Sequence, residues 1–323
     1  MKNFIYEFVF PFFTSYGLTY LISLLLINKA AIMVSKSKPE LEGFHKNKET
    51  IPNVGGIAFV LATFLSTAFF AQINTKLLYL FGVISSFGVL GFIDDFYKRS
   101  SDNGDGITSK TKLFWQFVIA IFFVLYGTYH NYIGSGIPFL MKDNLIAKIF
   151  ENLFLIFLLV YFVNAFNITD GLDGLAGSVS LPLCVLLILI AIMGENNQMI
   201  LVLSISLLAA LVAFLHFNRF PARYFMGDCG SMALGSTLLI IALSLKISLI
   251  FIIASLMLSV ELFTSLIQIV SINIFKKKVF TIAPIHHLFE KKGDSEIEIV
   301  NMFARLSALF SIIALLIYCY LNI

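Results

Sequence analysis

Long apolar runs alternate with short polar connectors along almost the whole chain. Runs of spanning length fall near residues 12–34, 55–71, 77–93, 113–130, 149–166, 176–193, 199–217, 232–245, 247–275 and 302–321. A helix crosses the hydrocarbon core of a bilayer in about 20 residues, so each run predicts a transmembrane helix. The eighth run is short, and its border with the ninth is set at Lys246. Phe4 to Val34 begins like a signal sequence, but no small-x-small cleavage pattern follows, which predicts a retained first helix. No internal repeat or low-complexity linker interrupts the pattern. The expected fold is therefore an all-α polytopic membrane protein of about ten transmembrane helices, one domain over residues 1–323.

Composition sharpens this picture. Hydrophobic residues make up 59% of the 323 positions and charged residues only 13%, which excludes an ordinary soluble domain. A net charge of +3 is too small to argue for nucleic acid as a partner; the bilayer itself is the partner the composition requires. Cys184 and Cys319 lie in apolar runs and Cys229 in a polar one, with no metal-ligand spacing between them, so all are expected to be free thiols.

Cations decide sidedness. Connectors after the odd-numbered runs hold Lys36, Lys38, Lys46, Lys48, Lys98, Arg99, Lys110, Lys112, Arg219, Arg223, Lys276, Lys277, Lys278, Lys291 and Lys292. The opposite side holds Lys2, Lys76, Lys142, Lys148 and Lys246. The positive-inside rule then places the odd connectors in the cytoplasm and both termini outside. Every unusual polar cluster falls on the cytoplasmic side, and the outer loops carry little beyond ordinary turn residues such as Gly134 to Pro138.

Four clusters have chemistry in them. Asn164, Asn167, Asp170 and Asp173 recur every third residue, and Gly171, Gly174 and Gly177 predict that a helix ends or turns tightly there. Asp94-Asp95 closes an apolar run, with Lys98 four residues beyond the first: a solvated ion pair, or a place to hold a divalent ion and a phosphate. Gly227 and Gly230 bracket Asp228 in a glycine-rich turn where Phe225 offers a stacking face and Arg223 a cation for phosphate. His286 and His287 are adjacent, so they do not share a helix face, and a joint zinc site is disfavoured. Glu261 is the one acid well inside a run, either a structural hydrogen-bond partner or a functional group. Several carboxylates, several cations and an aromatic face on one side suit a magnesium-bound, phosphate-rich nucleotide beside a lipid.

Taken in order, Pro52 to Gly56, Gly91 to Lys98, Gly106 to Lys112, Asn164 to Ala176, Pro221 to Gly235 and Ala283 to Glu290 resemble the polyprenyl-phosphate N-acetylhexosamine-1-phosphate transferases, glycosyltransferase family 4. The resemblance implies a ten-helix bacterial inner-membrane enzyme with a cleft on the cytoplasmic face. In its peptidoglycan branch, phospho-MurNAc-pentapeptide passes from UDP-MurNAc-pentapeptide to undecaprenyl phosphate, giving lipid I and UMP, with Mg²⁺ required. By position the resemblance assigns catalytic roles to Asp94, Asp95, Asp228 and His286, and magnesium to Asp228 assisted by Asn167. It assigns substrate contacts to Lys48, Asn53, Lys98, Lys112, Asn164, Asn167, Asp170, Asp173, Phe225 and His287. A homodimer is compatible with this reading. The chain departs from that branch at Leu288, where a third consecutive histidine is usual, at Asn53, where threonine is usual, and at Arg223. A UDP-GlcNAc branch with the same chemistry therefore stays open beside it. A transporter is the rival from another class, disfavoured because the acids gather at one surface rather than at the midplane.

Overall fold

In the computed structural model, which describes residues 5–29, 51–101, 105–140, 144–194 and 198–321, every regular element among the described residues is a helix. A π-helical turn at Ile5–Val9 leads into α1, Phe10–Lys29. The chain continues through α2 (Gly55–Phe70), α3 (Thr75–Ser100), α4 (Ser109–Tyr129), α5 (Leu145–Thr169) and α6 (Leu175–Met193). Then come α7 (Gln198–Asn218), α8 (Gly227–Ser244), the short α9 (Ser248–Ala254) and α10 (Leu256–Phe275). The amphipathic α11 (Ile285–Lys292) and α12 (Glu296–Leu321) close the chain. Among the described residues 9 helices are long and apolar enough to cross a membrane, and α2 is a shorter apolar helix. Every expected run is represented. The ninth, however, is broken at Ser255 into α9 and α10, and residues 30–34 of the first lie outside the described residues.

Several helices overrun their apolar stretches, α3, α4 and α8 among them. Whereas the apolar runs predict ends at 93, 113 and 232, α3 continues to Ser100, α4 begins at Ser109 and α8 begins at Gly227. The extra turns carry Asp94, Asp95, Lys98, Lys112 and Asp228. A charged residue ends an apolar run but not a helix when another helix supplies its counter-charge.

The bundle is built around α8, where all but a few residues are buried. Lipid is as apolar as leucine, so helices in a membrane associate through close packing and hydrogen bonds rather than by expulsion of water. Small residues allow it here. A Cβ on Gly56 of α2 would sit 2.3 Å from the Gly230 Cα of α8, and one on Gly91 of α3 would sit 2.2 Å from the Asp228 carbonyl oxygen. Both helices thus lie backbone against backbone on the first turns of α8. Elsewhere hydroxyls join helices: Ser66 Oγ donates to the Pro11 carbonyl at 3.0 Å, Ser15 Oγ to that of Ser206 at 2.7 Å, and Ser307 Oγ to that of Val179 at 2.7 Å. Cys184, Cys229 and Cys319 are free, as their spacing predicts.

The opposite end is more organised than its sequence suggests. Glu151 Oε1 accepts from the Ser135 amide and hydroxyl, both at 2.8 Å, and the Ser135 carbonyl accepts from the Ser248 hydroxyl at 2.5 Å. A cavity of about 680 Å³ opens beside this knot, lined in part by Tyr129, Lys148, Glu151, Asn152 and Lys246. The loops at this end, expected to lie outside, are thus not bare turns. Their polar groups are drawn from separate helices, which no local reading of Gly134 to Pro138 reveals.

The close approach at α8 is directly testable. Gly56→Ala should lower stability in detergent by about 1–3 kcal/mol, the usual effect of overpacking. Gly17→Ala, where an added Cβ meets nothing within 4 Å, should not lower it. Thermal unfolding of the two purified variants checks the contrast.

Candidate active site

Two acids and two lysines form a closed ring where α3, α4 and α8 meet. Asp94 Oδ2 lies 2.9 Å from Lys98 Nζ and 2.9 Å from Lys112 Nζ. Asp228 Oδ1 is 3.0 Å from Lys98 Nζ, and its Oδ2 pairs with Lys112 Nζ. Signs alternate around the ring, so each charge has two opposite neighbours, the arrangement that offsets desolvation best. The other Asp94 oxygen accepts from the Ile107 amide at 2.7 Å, which draws the connector before α4 over the ring. The sequence spacing of Asp94 and Lys98 predicts their i,i+4 pair; Asp228 and Lys112 joining it does not follow from any local pattern.

Asp95, next to Asp94, does something different. Its Oδ2 accepts from the Cys229 amide at 3.0 Å, in the first turn of α8, and its Oδ1 accepts from Asn53 Nδ2 at 3.2 Å. Helix α8 has no capping side chain of its own at Met226. A carboxylate from α3 serves instead, satisfying an orphan amide and facing the positive end of the helix dipole. Asn53 and the strand-like segment around it are tied in by backbone bonds as well: the Phe225 amide to the Pro52 carbonyl at 2.8 Å, and the Gly55 amide to the Phe225 carbonyl at 2.7 Å.

The three-residue ladder splits among partners. Asn164 pairs with Gln116 of α4, donating to its Oε1 at 2.6 Å, and so joins two helices one turn along α4 from Lys112. Asn167 Nδ2 donates to Ser231 Oγ of α8 at 2.9 Å. Helix α5 ends at Thr169, as the glycines predict, and Asp170 is its C-cap. Burial pushes the Asp170 carboxyl well above the usual carboxylate range, and the nearby charges of Asp228, Asp95 and Asp173 push it further. Asp173 is itself 3% exposed, and its Oδ2 accepts from the Ala222 amide at 2.9 Å, anchoring the connector between α7 and α8.

On that connector Phe225 is half-buried beside the first turn of α8, and Arg223 lies over the Phe217 ring, 5.3 Å from its centroid. His287 Nδ1 is 2.5 Å from Glu290 Oε2 within α11. His286 is fully buried, with Nδ1 2.8 Å from Glu261 Oε2. That pair escapes a local reading, although the lone acid of the ninth run was its signal. Lys48 lies outside the described residues.

Oxygen donors dominate the site, and acids outnumber bases: Asp94, Asp95, Asp170, Asp173 and Asp228 stand near Lys98 and Lys112. Among the described residues no three His, Cys, Asp or Glu side chains already form a metal cage. The carboxylates are the groups here that could hold a hard divalent ion, which commonly takes one or two of them and completes its shell with water and substrate phosphate.

Residues 77–246, spanning α3 to the end of α8 and hence all of the ring, match the family model described as glycosyl transferase family 4. The chain belongs to this family. It is similar to phospho-N-acetylmuramoyl-pentapeptide-transferase of Acetivibrio thermocellus, 35% identical over 271 residues, which is 83% of this chain and 82% of the relative. The protein of the same name from Petrotoga mobilis is 37% identical over 286 residues, covering 87% and 88% of the two chains. The one from Clostridium perfringens strain 13 is 35% identical over 274 residues, covering 84% and 85%. Membership makes this chain a transferase embedded in a membrane, which removes the transporter rival. Within the family frame, Asp173 stands out as a side chain committed to the fold of the site.

Asp173→Ala should therefore leave the Ala222 amide unpaired and lower stability by about 1–3 kcal/mol. Faster proteolysis within residues 219–226 should accompany the lower unfolding temperature. An unchanged digestion pattern would show that this connector is held by other contacts.

Proposed function

We propose that this family member transfers phospho-MurNAc-pentapeptide from UDP-MurNAc-pentapeptide to undecaprenyl phosphate, releasing UMP and forming lipid I, at the cytoplasmic face of a bacterial inner membrane with both termini outside. The observation that carries the reading is the ring of Asp94, Lys98, Asp228 and Lys112 at the helix ends, in a chain whose relatives bear the name of that reaction. The transfer forms a bond between an acceptor phosphate oxygen and the β-phosphorus of the donor. It breaks the bond from that phosphorus to the bridging oxygen, and the electron pair leaves with UMP. Little covalent work falls to the protein; position and charge neutralisation matter most.

Lys98 and Lys112 are cations already poised between carboxylates, able to exchange part of that pairing for phosphate oxygens as substrates enter. Asp94 acts here by position. A phosphate monoester has its second pKa at about 6 and is mostly dianionic near neutrality, so the acceptor needs little help to lose a proton. Both Asp94 oxygens are also taken, by the Ile107 amide on one and by two lysines on the other. Asp228, assisted by Asn167, would hold Mg²⁺, which supplies neutralisation of phosphate charge. Phe225, beside them, would stack on the uracil, with Asp170 on the same rim.

Two outcomes test this. Supplied separately with undecaprenyl phosphate, UDP-MurNAc-pentapeptide should yield lipid-linked product and UDP-GlcNAc should not; product from UDP-GlcNAc alone would move the chain to the branch that Leu288 leaves open. In the productive assay Asp228→Asn should cut turnover at least about a hundredfold, with partial recovery at high Mg²⁺, because a charged oxygen ligand is lost. Near-wild-type turnover would remove Asp228 from the metal.

Sidedness follows from the cation asymmetry. A cysteine at Lys110 should react with a membrane-impermeant thiol reagent only after cells are opened, and one at Leu145 while they are intact. The reverse labelling would put the ring on the wrong side for a cytoplasmic nucleotide sugar.

A further inference from the structure

Helix α10 has two unlike faces. Val260, Phe263, Ile267 and Ile274 are exposed toward the surroundings of the bundle, whereas Glu261, Gln268 and Ser271 are buried. Seven and three residues apart, these three share one face of the helix. Along that face the chain returns after Lys276 without helical structure until α11. Backbone groups in such a segment find no partners in lipid and need them from protein.

The polar face of α10 provides them in antiparallel order. Ser271 Oγ donates to the Lys277 carbonyl at 2.8 Å. Gln268 Oε1 accepts from the amides of Val279 at 3.1 Å and Phe280 at 2.9 Å, while its Nε2 donates to the Phe280 carbonyl at 2.9 Å. Glu261, furthest back along the helix, meets His286 at 2.8 Å. This register decides where His286 lies. Both side chains of the last pair are 0% exposed. The far edge of the imidazole abuts the turn that follows α5: a Cβ on Gly171 would fall 2.3 Å from His286 Nε2. Only glycine leaves room for the ring there. Among the described residues, Nε2 and Glu261 Oε1 have no hydrogen-bond partner.

We propose that Glu261 is a positioning residue of the transfer site: its carboxylate holds His286 with the proton on Nδ1 and the ring wedged against Gly171, which sets the Asp170–Gly171 turn on the nucleotide side of the cleft. The chemistry behind it is the pairing of a ring N–H with a carboxylate, which fixes both tautomer and orientation of a histidine. Gln268 supports the same placement one step removed, by fixing the register of the returning segment. The proposal rests on the transferase reading given above, in which this rim holds the nucleotide.

The test uses full-length protein in detergent or nanodiscs. In histidine-labelled wild type, ¹⁵N resonances should show His286 protonated at Nδ1; an unprotonated Nδ1 would overturn the proposal whatever the activity. In the transfer assay, Glu261→Leu should raise the apparent KM for the UDP-sugar about tenfold and leave that for the lipid phosphate within about twofold. Glu261→Gln, whose amide oxygen still accepts from Nδ1–H, should recover most of the loss. Gly171→Ala, which intrudes on the ring from the other side, should reproduce the Glu261→Leu change. A Glu261→Leu enzyme with unchanged UDP-sugar KM would sink the proposal, as would equal defects in the Leu and Gln variants, since a packing role does not distinguish them by charge-free hydrogen bonding. Phe225→Ala, run alongside, separates the two readings. If it raises the UDP-sugar KM and Glu261→Leu does not, only the positioning role falls. If wild type makes no lipid-linked product, the transferase reading falls and the ¹⁵N measurement alone decides the histidine's geometry.

Discussion

The structure depends on how closely α2 and α3 approach the first turns of α8. At Gly56 and Gly91 there is no side chain to keep the backbones apart, and an added Cβ would overlap backbone atoms of α8. In lipid this contact is a main source of helix association, since burial of apolar surface gains nothing over the surrounding chains. It also fixes chemistry. Gly91 lies one turn before Asp94 and Asp95, so the contact that joins α3 to α8 brings both acids level with Asp228. A site assembled at a backbone contact is placed by main-chain geometry rather than by side-chain rotamers.

That proximity creates an electrostatic problem which the remaining residues solve unevenly. Asp94 and Asp228 are balanced by Lys98 and Lys112. Asp95 is balanced by the amides at the start of α8 and by Asn53. Asp173 is satisfied by the Ala222 amide. Asp170, just beyond the end of α5, has its carboxyl raised by burial and by the three acids around it. Burial and like charge both favour the neutral form of a carboxyl, so Asp170 adds less negative charge to the rim than an ordinary aspartate would.

Much of this was legible in the sequence. Apolar run lengths reveal the spans, including the weak border at Lys246, where the chain does turn in a left-handed conformation at φ 56°. Lysine and arginine asymmetry collects Asp94, Lys112, Asp170 and Asp228 on one side, and the motif order identifies the family. The misses share one cause: hydrogen bonds between distant segments have no local signature. Asn164 looks like its neighbours in the ladder but joins Gln116. Asp95 looks like a twin of Asp94 but caps another helix. Helices α3, α4 and α8 outlast their apolar runs for the same reason, since their charged ends are stabilised by one another across the bundle.

Helix α10 shows how far that reasoning extends. Read alone, its sequence is an apolar span interrupted by Glu261, Gln268 and Ser271, and each interruption is unfavourable in lipid. Their spacing puts the three on one face, and that face is covered by the chain's own return from Lys277 to His286. The polar residues therefore do not weaken the span; they allow an irregular segment to run beside it with its backbone satisfied. The apolar face suits lipid, while the polar face holds a returning segment without helical structure and, at its end, a buried histidine. An acid inside a transmembrane helix is most informative when read together with the connector that follows it, because the connector is where its partner resides.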